Sequence, residues 1–222
     1  MPERFFCATD YPIALDSPDH LVPLATANDN SINTQFNQRL VNMLHKPQIS
    51  VLDMGCAGGG MVGSLIDMGH IAVGIQGSDY SKIRKRAAWG THGDYLFTAD
   101  ATKPFKIHAG DYIPYLFDVV TAWEFFEHIR EDDLPGVLDN IVRHLAPGGW
   151  LICTIADKGI KRNGVYYHQT IKDHAWWLKL FERRGFTRID KWNLYFNGYW
   201  VRNGPIKLAM KLNGRNYGSK DS

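Results

Sequence analysis

Apolar positions along this chain fall into two alternating rhythms. Residues 49–52, 71–75, 95–98, 117–123 and 150–155 are short β-branched or aromatic runs, which predict buried strands. Between them apolar residues recur three or four apart, the spacing of one helix face. Residues 33–46 place Phe36, Leu40, Val41 and Leu44 on such a face, and Pro47 stops the helix. Residues 61–68 repeat the pattern with Met61, Leu65 and Met68. The clearest stripe lies over 131–145, where Leu134, Val137, Leu138, Ile141, Val142 and Leu145 align behind Asp132, Asp133 and Pro135. Ser78 is placed to cap a helix through Ala88, and residues 172–184 bury Trp177, Leu178 and Phe181 ahead of Gly185. Residues 187–196 and 199–212 read as a closing strand pair around Asn197-Gly198.

Strand and helix alternate through five units, which predicts an α/β domain with a doubly wound, mostly parallel sheet and helices on both faces. A ligand then belongs at the C-terminal ends of the strands. Residues 1–30 mix prolines, aspartates and asparagines with scattered apolar positions and read as an irregular arm. Residues 31–212 form a single domain, and 213–222 a flexible polar tail. The arm's Tyr11, Asn28 and Asp29 are within chain reach of a site at the strand ends.

Composition narrows the class. With 222 residues the chain can build one good core, and 45% hydrophobic content suits a globular protein. A net charge of +2 is too mild to argue for a nucleic-acid partner. The basic run Lys82, Arg84, Lys85 and Arg86 has no interleaved aromatics, so it reads as a solvated helix face. Cys7, Cys56 and Cys153 are far apart and odd in number, which suggests neither a disulfide framework nor a metal spacing, and fits a reducing, cytoplasmic setting. No apolar run is long enough for a membrane helix, and the first residues lack a signal-peptide core.

The chemistry concentrates where the first strand run ends, at Asp53-Met54-Gly55-Cys56-Ala57-Gly58-Gly59-Gly60. Strand, glycines and helix are the layout of a nucleotide-type loop, in which bare backbone approaches a ligand at a helix N-terminus. Asp53 would repel a pyrophosphate, yet it suits a ligand carrying an amine and a sulfonium. No P-loop lysine follows the glycines. With this loop the chain resembles the class I S-adenosylmethionine-dependent methyltransferases, whose first motif reads Asp-x-Gly-x-Gly/Ala-x-Gly; Asp53, Gly55, Ala57 and Gly59 occupy its positions. Glu127-His128-Ile129 after the fourth strand run and Pro147-Gly148-Gly149 before the fifth extend the resemblance over about residues 35–155.

The resemblance implies a Rossmann-like, seven-stranded sheet with one antiparallel strand, and S-adenosyl-L-methionine as cofactor. It implies a cofactor site built from Asp53, Gly55, Cys56, Ala57 and Gly59, from Gln76, Gly77 and Ser78 for the ribose, from Asp100 and Ala101 for the adenine, and from Trp123 and Glu124 near the transferred methyl. Gln76 departs from the family, which carries an acid there; an amide can accept one ribose bond and donate another. The acceptor implied is a small molecule or sugar offering oxygen, and Trp123-Glu124-Phe125-Phe126 does not match the motif of base-amine methyltransferases. His168 and His128 are the candidate general bases, since imidazole titrates near neutrality. Alternatively Glu124, Glu127 and His128 hold a divalent metal, as in metal-dependent relatives with the Glu-x-x-Glu-His spacing. A nicotinamide-dependent oxidoreductase and a non-catalytic cofactor-binding relative are the rival classes. The acidic residue in the loop speaks against the first; the intact loop together with Asp100 speaks against the second.

Overall fold

In the computed structural model, which describes residues 4–191 and 198–213, all five predicted strand runs join one sheet. In chain order the strands are β1 (Phe6–Ala8), β2 (Ser50–Met54), β3 (Ile71–Gln76), β4 (Leu96–Thr98), β5 (Lys106–His108), β6 (Phe117–Trp123), β7 (Leu145–Ile155), β8 (Lys161–Arg162), β9 (Val165–Tyr166), β10 (Phe186–Arg188) and β11 (Ile206–Leu212). The helices are α1 (Pro18–Leu21), α2 (Ala25–Asn28), α3 (Thr34–Leu44), α4 (Gly60–Asp67), α5 (Tyr80–Ile83), α6 (Ala88–Thr91), α7 (Leu134–His144) and α8 (His174–Arg183). The seven-stranded sheet runs β10-β11-β7-β6-β2-β3-β4. Its β7, β6, β2, β3 and β4 pair in parallel, while β11 is antiparallel to both neighbours. The order reverses between β2 and β6, and that reversal opens a crevice at their C-terminal ends.

Alternation along each strand sorts the core into two layers. Leu52, Met54, Val73, Ile75, Val120, Leu151 and Cys153 face α7 and α8, meeting Val137, Leu138, Ile141, Trp177 and Phe181. Val51, Ala72, Val119 and Ile152 face the other way, toward Phe36 and Leu40 of α3 and Val62 and Leu65 of α4. Each such side chain, fully buried, contributes roughly 1.5–3 kcal/mol by leaving water. Because both faces are covered, the central strands carry nearly unbroken apolar runs, which is why they were legible as strands.

Four stretches differ from the pattern. The arm is ordered, not irregular: Phe6–Ala8 pairs with Lys106–His108, Phe5 is buried against Tyr115 and Phe117, and α1 and α2 follow. The single helix expected from Ser78 to Ala88 is broken into α5 and α6. Lys85 and Ala87 adopt positive φ there, because Arg86 is drawn to the carbonyls of Thr26 and Asp29 and Ala88 N–H bonds Gly58 O. The stretch after β7, without periodicity, contains a small hairpin whose two-residue turn is Asn163-Gly164, both at positive φ. Finally, β10 is three residues long and β11 begins only at Ile206, so the closing pair is not a tight hairpin. The excursion between them carries Trp200, which is buried against Phe36 and Trp123. Residues 192–196 of the first expected strand, Asn197 of the expected turn and the tail from 214 lie outside the described residues.

Candidate active site

A cavity of about 530 Å3 sits at the C-terminal ends of β2, β3, β4 and β6. Its floor is the loop after β2. Gly55 has φ +76°, and a Cβ there would stand 2.7 Å from the Phe125 ring, so the turn needs glycine and leaves backbone bare toward the cavity. Ala57 also lies at positive φ, held by its N–H bond to Gln76 Oε1 and by Trp89 Nε1 on its carbonyl. Of the residues expected at the cofactor, Gly55, Ala57, Gln76, Gly77, Ser78, Asp100, Ala101, Trp123 and Glu124 line this one cavity.

Three do not. Asp53 is buried beneath the floor, where its carboxylate accepts a 2.7 Å bond from Thr121 Oγ1. Burial raises its pKa from 3.8 to about 7, the Thr121 bond opposes this, and the charge of Asp29 adds to it. Cys56 turns away toward Gly74, whose missing Cβ leaves the notch that Sγ fills. Gly59 serves as the positive-φ cap of α4 and packs against Leu96 and Ala88. Motif position alone could not separate residues that shape the loop from residues that face its ligand.

Gln76 does not stand open toward a ligand. Its Oε1 accepts from Ala57 N–H at 2.9 Å, and its Nε2 donates to Thr26 Oγ1 at 2.8 Å. Asp100 lines the cavity while its Oδ1 accepts from the N–H and hydroxyl of Thr102. Glu124 holds positive φ at the end of β6, and its Oε1 is buried without a hydrogen-bond partner among the described residues. Burial raises the Glu124 pKa, against the pull of Arg202 and His168.

Beyond Glu124, the two candidate bases lie side by side, with ring centroids 4.9 Å apart. His128 Nδ1 lies 3.1 Å from Tyr167 O and His168 Nδ1 lies 2.5 Å from Lys158 O. A carbonyl can only accept, so both Nδ1 atoms donate and both neutral rings keep their lone pair on Nε2. Burial pulls the His128 pKa down to about 4, aided by His168. Glu127 is fully buried. Its Oε1 accepts from Ala156 N–H, its Oε2 has no hydrogen-bond partner among the described residues, and burial pushes its pKa up to about 8. Ligand atoms of Glu127, His128 and His168 all lie within 4.8 Å of one another. The structure thus puts His168 in the place expected for Glu124, which is not a member of this cluster. The Glu-x-x-Glu-His spacing can suggest Glu127 with its neighbour His128, but His168 is brought in by the loop after β7.

The other wall was anticipated only through Tyr11 and Asp29. Tyr11, Leu15, Asp19, Thr26 and Asp29 of the arm line the cavity, and Arg202, from the excursion before β11, pairs with Asp29 at 2.8 Å. Asn28 lines a shallower cleft beside Arg162 instead. Prolines and polar residues carry no periodic signal, so nothing short of tertiary structure could place this wall.

A glycine loop after the first central strand, an acid after β4 and a cavity at the switch point define a nucleotide-cofactor α/β domain of the methyltransferase type. A family profile described as "Methyltransferase domain" matches residues 29–197, and the chain belongs to that family. The resemblance to class I S-adenosylmethionine-dependent methyltransferases is thereby borne out. Over 136 residues the chain is 30% identical to a ubiquinone biosynthesis O-methyltransferase of Thiobacillus denitrificans, covering 60% of this chain. The match spans about half, 53%, of that relative's length. The fold is shared with an S-adenosylmethionine-dependent methyltransferase of Clostridium acetobutylicum (TM-score 0.57, 12% identity, 86% of this chain and 95% of that one). It is shared also with the glycopeptide N-methyltransferase MtfA complexed with S-adenosylmethionine (TM-score 0.52, 16% identity, 82% and 95%). Among the described residues no helix is long and apolar enough to cross a membrane.

Proposed function

We propose that this chain transfers a methyl group from S-adenosylmethionine to an oxygen of a small molecule or sugar. One observation carries the reading: the glycine loop, Gln76–Ser78 and Asp100–Ala101 share a single cavity with the imidazoles of His128 and His168. The residues present fit such a cofactor. The cavity has the volume of a small-ligand site. Gly55 leaves backbone exposed, and the orphaned Oε1 of Glu124 is an acceptor waiting for a donor or a cation. The relative named for O-methylation and the fold neighbour complexed with this cofactor support the choice.

Bound, the cofactor supplies a methyl group on a sulfonium, open to in-line displacement. The protein's part is alignment, worth on the order of 7–11 kcal/mol in well-oriented systems. Trp123 and Glu124 at the end of β6 orient the reacting end, while the arm keeps water out. The proton lost by the acceptor's hydroxyl would be taken by Nε2 of His168, whose tautomer Lys158 O holds in place.

A second reading has its own observation. A ring nitrogen of each histidine and a carboxylate oxygen of Glu127 lie within 4.8 Å of one another, as ligands of a divalent cation do, while backbone carbonyls hold the Nδ1 atoms of both rings. Glu127, His128 and His168 would hold the ion, and an ion there would acidify the acceptor hydroxyl.

Calorimetry with S-adenosylhomocysteine and with NAD comes first; micromolar binding of the former alone is expected. Turnover is then screened against sugars and phenols, with and without chelator, alongside Glu127→Gln. Turnover indifferent to chelation leaves His168 as base and removes the cation. Binding with no turnover of any acceptor favours a cofactor-binding relative.

A further inference from the structure

Gln76 occupies a place where class I methyltransferases carry an acid, and its surroundings explain the amide. Asp19 gathers the start of α2: its Oδ1 accepts from Leu24 and Ala25 N–H, and its Oδ2 accepts from Thr26 N–H and from the Thr26 hydroxyl. With its proton given to Asp19, Thr26 Oγ1 can only accept, and the group facing it must donate. On its other side residue 76 must accept, because Ala57 N–H points at it. A side-chain amide meets both demands at once: Oε1 toward Ala57, Nε2 toward Thr26. A carboxylate would put two acceptors and a second negative charge where one hydroxyl proton is available. Thr26 is tied further: its carbonyl accepts from Ser81 Oγ at 3.0 Å and from Arg86 Nη2 at 2.8 Å. Thr26 and Ser81 are fully buried, so these bonds are not shared with bulk water.

We infer that Gln76 is a positioning residue that couples the order of arm residues 11–29 to the conformation of the glycine loop. Through Ala57, which sits at positive φ, the same amide holds the cavity floor and the cavity wall. Arm order and ligand binding are therefore cooperative, each raising the affinity of the other by one factor. The ligand half of this statement rests on the S-adenosylmethionine reading above; the coupling of arm to loop does not.

Amide hydrogen exchange on the full chain, free and with S-adenosylhomocysteine, tests it. The variants are Gln76→Glu, Gln76→Ala, Thr26→Val and the Gln76→Ala/Thr26→Val double. In the free protein each single variant should speed exchange over residues 19–29 by roughly tenfold or more, as expected for an opened buried hydrogen bond. Exchange in β6 and β7 should stay unchanged, which separates unlatching from misfolding. The double variant should be no worse than the worse single one, because both changes remove the same link. In wild type the ligand should add protection to the arm, and in Gln76→Ala it should not. Arm exchange in Gln76→Glu equal to wild type overturns the inference, as does additivity in the double variant. Bound ligand that leaves the wild-type arm unprotected overturns the cooperativity. If wild type binds no S-adenosylhomocysteine, the donor reading fails, and the free-protein comparison still decides the latch.

Discussion

Asp53 makes the sharpest test of how this fold handles charge. It is 4% exposed, its carboxylate accepts a hydrogen bond from the Thr121 hydroxyl, and burial lifts its pKa from 3.8 to about 7. Between those two values the native state keeps a proton that the unfolded chain releases. Stability contributed by this residue therefore falls as pH rises through that window and is fully lost above about 7. At 1.36 kcal/mol per pH unit, a window of about three units corresponds to about 4 kcal/mol. Asp53→Asn keeps an oxygen for Thr121 and removes the charge. Its amide hydrogens add an offset that does not vary with pH, so the slope carries the information. Urea denaturation of both proteins at pH 5, 6, 7 and 8 should show the variant gaining on wild type with each step and levelling off past pH 7. Other buried acids, Glu127 among them, titrate in both proteins and cancel in the difference. A difference that stays flat across pH 5–8, or that shrinks, would refute the reasoning, because it would mean that the carboxylate is solvated or paired in the native state.

Three further outcomes follow from local geometry. Gly136→Ala puts a Cβ 2.4 Å from Thr102 O, a backbone atom with little room to yield, and should destabilise the protein by about 1–3 kcal/mol in denaturant melts. Asp173→Ala removes the N-cap of α8, a 2.8 Å bond to Trp176 N–H, and should cost about 1 kcal/mol by the same measure. Gly204→Ala places a Cβ 2.0 Å from Glu124 Oε1. The Glu124 side chain must swing away, so S-adenosylhomocysteine should bind about tenfold more weakly in calorimetry, about 1.4 kcal/mol.

How much of this could be read beforehand depends on whether a residue's neighbours are near it in the chain. The central strands and α3, α4, α7 and α8 were legible because each buries a face, and burial writes a period of two or 3.6 into consecutive residues. The glycine loop was legible because the turn needs particular backbone angles at particular positions, as Gly55 shows. Asp100, Trp123 and Glu124 followed from standing where strands end.

What tertiary structure decided is which side of each element a polar residue serves. Asp53 and Cys56 belong to the same motif as Gly55 and Ala57, yet packing turns the first two into the interior and the last two to the cavity. Gln76 has one neighbour 19 residues away and another 50 away, and only their joint demand for a donor and an acceptor explains why it is an amide. His168 meets Glu127 and His128 from about 40 residues further along the chain, beyond α7 and β7, and the arm closes the cavity through isolated polar bonds that leave no rhythm in the sequence. Periodicity records burial along one element. The pairing of single polar groups between elements has no period, and so the chain alone determined the fold and the place of the site, while three dimensions decided which residues face it.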